Sequence, residues 1–188
     1  PTRRSSDLDF EKLDPADYTA EWKWDGIRVQ LVFDNEHKRM FSRTGDDISG
    51  TFPDITESLQ GAGVLDGELL VGAGFDPLPF NDLQQRLNRK TVIKKHLTEY
   101  TAFIRVYDML FDGLEDVRHL PLNERRQRLE RWYEQNPNPR LDLSELLPFE
   151  SWDDLAKLRQ MGADEHGHEG LMIKHKDSIY VSGRPKGP

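Results

Sequence analysis

The 188-residue chain carries 26 Lys and Arg against 34 Asp and Glu, a formal net charge of −8, with 36% hydrophobic and 32% charged residues. That is enough apolar material for a core, which excludes wholesale disorder; the absence of cysteine excludes a disulfide scaffold, a zinc ribbon and a thiol nucleophile. No apolar run approaches the ~18 residues that a membrane-spanning helix needs, and the acidic balance argues against an indiscriminate nucleic-acid coat.

Residues 1–17 are polar and read as an N-terminal extension in loop conformation. No apolar run follows Arg3 and Arg4, so no signal peptide is expected, and a cytoplasmic, prokaryotic setting is. Tyr18 to Trp24 alternates as a strand. Arg28 to Phe33 is rich in β-branched and aromatic residues, and Lys38 to Ser42 follows a polar turn. The three are expected to form an antiparallel meander. Pro53 is expected to open a helix reaching about Gly61. Gly63 to Val71 reads as a buried strand holding two acids. Phe80 to Asn88 has helical spacing at Phe80, Leu83 and Leu87.

Thr101 to Leu110 is strongly β-forming, Leu122 to Gln135 is a charged amphipathic helix, and Trp152 to Met161 is a further helix. Gly170 to Lys174 reads as a buried strand and Ile179 to Val181 as a short one. The mixture lacks a regular βαβ rhythm, so the fold class is α+β, antiparallel sheets flanked by helices. Two histidines, His166 and His168, lie in a glycine loop without further ligands and are expected to be solvated.

The stretch Glu21-Trp22-Lys23-Trp24-Asp25-Gly26-Ile27-Arg28 sets a lysine, an aspartate, a glycine and an arginine at the spacing K-x-D-G-x-R. A lysine nucleophile must be neutral, and at pH 7 that costs an unperturbed lysine ~4–5 kcal/mol. Burial or neighbouring positive charge lowers that cost. Glycine permits a tight turn and close approach of a ligand. The two acids of Leu65-Asp66-Gly67-Glu68-Leu69 are costly inside an apolar strand unless paired or ligated.

K-x-D-G-x-R resembles the first motif of the covalent nucleotidyltransferases: DNA ligases, RNA ligases and mRNA capping enzymes. Ser42-Arg43-Thr44-Gly45, the Asp66-Gly67-Glu68 stretch, Val106-Tyr107-Asp108 and Glu169-Gly170-Leu171-Met172-Ile173-Lys174 follow in that family's order. Phe80 to Arg89 and Val117 to Arg126 are similar to bacterial ATP-dependent DNA ligases in particular. The resemblance implies an ATP-grasp-like nucleotidyltransferase domain over residues 18–188. It implies that Lys23 carries AMP and passes it to the 5′-phosphate of nicked double-stranded DNA, as in replication, repair or recombination.

The same resemblance implies a role for each matching residue. Glu21 reads the adenine edge, Tyr107 stacks on the base, Arg28 and Glu68 hold the ribose, and Arg43 and Lys174 hold phosphate. Glu169, with Glu68, holds Mg²⁺ or Mn²⁺. A monomer without membrane contact is implied. RNA ligation, GTP-dependent capping, or nucleotide binding without turnover are the alternatives. The basic residues Arg86, Arg89, Lys90, Lys94 and Lys95 are candidates for DNA contact. The family's next motif, with two phosphate-binding lysines, and its OB-fold are not found before Pro188, so the domain is expected to be incomplete at its C-terminal end. This stretch alone is therefore expected to self-adenylate poorly or not at all.

Overall fold

The computed structural model describes residues 12–87, 98, 100–162 and 168–183. The larger sheet is built on β2 (Ile27–Phe33), β3 (Lys38–Ser42), β4 (Gly63–Ala73), β6 (Ala102–Asp112) and β7 (Glu115–Asp116), in the order β3-β2-β4-β6-β7. Two short strands extend it: β5 (Asp76–Pro77) pairs with β4, and β8 (Leu141–Leu143) runs parallel to β6. A separate two-stranded ladder joins β1 (Tyr18–Trp24) to β9 (His168–His175). The helices are α1 (Pro53–Thr56), α2 (Phe80–Leu87), α3 (Leu122–Gln135) and α4 (Trp152–Met161).

Alternation along β2 sorts the larger sheet into two faces. Val29, Leu31 and Phe33 are buried in the core with Leu65, Leu69, Ile104 and Val106, and α3 covers them through Leu129 and Trp132. Arg28 and Gln30 take the opposite face, directly across from Glu68 and Asp66 of β4. One face is therefore greasy and the other carries the charge. Gly67 fits where nothing larger would: a Cβ there would lie 2.8 Å from the Arg105 carbonyl oxygen and 2.5 Å from Ile104 Cγ2.

Five expectations need correction. The strand through residues 170–174 is only partly buried, because among the described residues it pairs with β1 alone in a two-stranded ladder, and Met172 is exposed. The first three strands are not a meander, because β1 leaves its neighbour and pairs with β9, about 150 residues away in sequence. The helix at Pro53 ends at Thr56, since the Ser58 hydroxyl and amide both donate to Ile55 O and close the turn. Ile179–Val181 is not a strand; Tyr180 donates its amide to Arg118 O and has no ladder. Within the polar N-terminal stretch, Pro15–Asp17 forms a 3₁₀ turn capped by the Asp14 side chain.

Candidate active site

The two sheets meet around a cavity of about 640 Å³. Two bulges aim residues into it. In the β1–β9 ladder Lys23 pairs with Gly170 and Trp24 with His168, so Glu169 is the extra residue. In the β4–β6 ladder Asp66 pairs with Asp108 and Gly67 with Val106, so Tyr107 is the extra one. Both bulged residues line the cavity. Gly26 brings the β1–β2 turn tightly onto β4, where any Cβ would collide with the Leu69 carbonyl oxygen.

On the floor, the Lys23 ammonium is ion-paired with Glu169. Trp22 and Trp24 go to other partners: Trp22 stacks on His168 at 4.1 Å between ring centroids, and Trp24 lies 3.9 Å beneath the Arg105 guanidinium. His168 is thus part of a strand and an aromatic stack rather than a solvated loop; His166 lies outside the described residues.

At the inner end, Glu21 is buried and its carboxylate is held by Lys174 and, at 3.5 Å, by Arg126. The Lys174 ammonium also sits 4.6 Å over the Tyr107 ring. Burial, reinforced by Asp66 and Glu68, pushes the Tyr107 phenol well up, so it stays neutral. Lys174 faces a carboxylate and an aromatic ring here, and the phosphate role that the resemblance implies requires it to leave them.

Along the wall, Arg28 bonds Asp66 Oδ2 at 2.6 Å. Burial alone would weaken the guanidinium's hold on its proton, but the charge and hydrogen bond of Asp66 outweigh it and raise the Arg28 pKa. Glu68 is pushed up to about 7, mainly by burial; Arg28 and Lys23 oppose the rise, and Glu169 and Asp25 add to it. Asp25 is raised by its own burial and by a hydrogen bond and repulsion from Glu169. Arg43 is exposed at the rim.

Lys23, Glu21, Arg28, Arg43, Glu68, Tyr107, Glu169 and Lys174 all line this one cavity. Residues 2–187 match the family of ATP dependent DNA ligase domains. The chain belongs to that family. Curated DNA ligases from Archaeoglobus fulgidus and Haloarcula marismortui are 32% and 30% identical to it, each over 88% of this chain. The chain spans 30% of the length of those relatives. Among solved structures, mycobacterial DNA ligase D complexed with ATP and MES superposes with a TM-score of 0.71 at 26% identity, over 92% of this chain and 52% of that one. The ligase domain of M. tuberculosis LigD gives 0.70 at 27%, over 93% and 54%. The α+β ligase nucleotidyltransferase fold expected from the motifs is the fold observed.

The charge of this wall suits a divalent cation. Glu68, Asp25 and Glu169 crowd one another, and a cation would relieve the repulsion that adds to burial in raising the first two. No preformed cage of three or more ligating side chains exists among the described residues. A hard cation can also be held by one or two carboxylates together with substrate phosphates.

Motif reasoning missed Asp66, Asp25, Arg126 and Tyr180. Asp25 lies inside the K-x-D-G-x-R motif and Arg126 ends the ligase-like stretch, but neither was given a role; Asp66 carried a signal as an acid in an apolar strand that demanded a partner, and the partner is Arg28. Arg86 is corrected: its side chain is fully buried, it bonds both Asp54 oxygens and Tyr100 O, and it cannot face DNA. Arg89, Lys90, Lys94 and Lys95 lie outside the described residues.

Proposed function

We propose that this chain is the adenylation domain, over residues 18–188, of an ATP-dependent DNA ligase. The convergence of eight motif residues on a single cavity of about 640 Å³ carries the proposal. ATP enters with its base between Tyr107 and the Glu21 end. Glu21, held by Arg126, accepts from the exocyclic amine of adenine. Arg28 and Glu68 hold the ribose, and Arg43 and Lys174 take phosphate, Lys174 exchanging its present partners for the nucleotide.

The Lys23 nitrogen then attacks the α-phosphorus in line. An N–P bond forms, the bond to the bridging oxygen breaks, pyrophosphate leaves, and the nitrogen gives up two of its three ammonium protons, one before the attack and one after it. Glu169, the present partner of Lys23, lies where it can hold one of those protons. Mg²⁺, held by Glu169 and Glu68, would neutralise phosphate charge. The AMP passes to the 5′-phosphate of a nick, and the 3′-hydroxyl displaces it to seal the strand.

The test is prolonged incubation with ATP and Mg²⁺ followed by peptide mass mapping. With these residues all on the wall, a slow gain of one adenylate on the Lys23 peptide is expected. Lys23→Ala should abolish the adduct and keep ATP binding; an adduct that survives Lys23→Ala would contradict the proposal.

A further inference from the structure

Tyr180 belongs to no strand, yet its hydroxyl is fully engaged. It accepts from Arg28 Nη2 at 3.1 Å and from Gln30 Nε2 at 3.3 Å, and it donates to Asp66 Oδ2 at 3.3 Å. A phenol offers one proton and two lone-pair sites, so these contacts use its whole capacity. The same Arg28 Nη2 and Asp66 Oδ2 bond each other at 2.6 Å, which closes a three-membered ring of contacts.

The segment carrying Tyr180 is not held by burial of its neighbours. Ile179 and Val181 are each 57% exposed. Its backbone is pinned instead by Tyr180 N donating to Arg118 O at 2.9 Å and by Arg125 Nη1 donating to Ser178 O at 3.0 Å. Arg125 is itself anchored by two bonds to buried Asp108, at 2.8 and 3.0 Å. A loop pinned this firmly presents one side chain inward, and that side chain reaches the wall of the nucleotide cavity. Tyr180 and Arg28 also border a second cavity of about 440 Å³ next to the first. Between them they occupy one oxygen of Asp66, while Asp66 Oδ1 is buried without a hydrogen-bond partner among the described residues.

We infer that Tyr180 is a positioning residue for nucleotide binding: its hydroxyl fixes the Arg28 guanidinium against Asp66, so that Arg28 meets the nucleotide in a single orientation. This rests on the nucleotide reading of the Lys23 cavity. Tyr180 touches no reacting atom and acts only through Arg28. Without the hydroxyl, Arg28 keeps its charge pair but loses one of the two contacts that set the plane of its fork, and orientation is the property in which arginine differs from a point charge.

The experiment is a double-mutant cycle on ATP affinity, measured by calorimetry in a Lys23→Ala background where no covalent step intrudes. Tyr180→Phe keeps the ring and removes the hydroxyl. Arg28→Lys keeps a cation beside Asp66 and removes the fork. Tyr180→Phe should weaken ATP binding about fivefold when Arg28 is present, the effect of one ordinary hydrogen bond. It should have no further effect when residue 28 is lysine. Equal weakening in both backgrounds, as a merely structural tyrosine would give, overturns the positioning role and leaves the nucleotide reading standing. So does no weakening in either. A Lys23→Ala parent that takes up no ATP overturns both.

Discussion

Lys23 is ion-paired with Glu169, the residue that the β1–β9 bulge inserts beside it. Both side chains are about half exposed, 48% and 49%. Exposed pairs of this kind contribute at most about 1 kcal/mol to stability. The bulge is therefore better explained by what it places beside Lys23 than by what it adds to the fold, and bulges are a common way of re-aiming a side chain at a site.

Glu169→Gln should consequently separate chemistry from stability. Urea unfolding should move by less than about 1 kcal/mol. The single-turnover rate of Lys23 adenylation should fall on the order of 100-fold, the scale of removing a charged group from a preorganised site. A large loss of stability with little change in rate would contradict this.

Tyr107→Ala should weaken ATP binding by roughly 1–3 kcal/mol, the range that base–aromatic stacking carries on alanine substitution. Tyr107→Phe should bind ATP nearly as well as the parent, since the ring is kept. Equal losses in the two variants would place the base elsewhere.

Arg86→Ala should destabilise the chain by roughly 3–5 kcal/mol, because it leaves the mostly buried Asp54 without its cation. Denaturant unfolding measures this. Affinity for nicked DNA, per folded molecule, should not change. Arg86 offers no exposed surface, and its guanidinium stacks 4.7 Å over Phe52.

Glu68 makes stability depend on pH in the nucleotide-free, metal-free chain. Its carboxyl titrates near 4.5 when unfolded and at about 7 when folded. Between those values the folded state holds the extra proton, so this contribution is greatest at low pH and is lost as pH rises through about 7, with no further change above. The loss should reach about 3 kcal/mol, and Glu68→Gln should remove it from the pH profile of the unfolding free energy.

The sequence made the motifs legible because each needs particular residue types. Lys23, Tyr107, Glu169 and Lys174 were found without a fold, and the strong periodicity of Leu122–Gln135 and Trp152–Met161 gave helices at those bounds. What it hid were long-range pairings. Nothing local in Tyr18–Trp24 says that β1 will choose β9, and a bulge leaves no mark on a period of two. Arg86 misled because basic runs suggest a solvated face, whereas a single arginine can be buried when a carboxylate and carbonyl oxygens meet its guanidinium. Tyr180 lies in a stretch with β-forming residues and no strand to join, so its role shows only in the contacts of its hydroxyl.

The central claim is that Lys23 is the nucleophile of this cavity. Peptide mass mapping after incubation with ATP and Mg²⁺ tests it most directly. The account predicts one adenylate on the peptide containing Lys23, absent from Lys23→Ala even though that variant still binds ATP. An adenylate on any other residue, or one that survives Lys23→Ala, would contradict it.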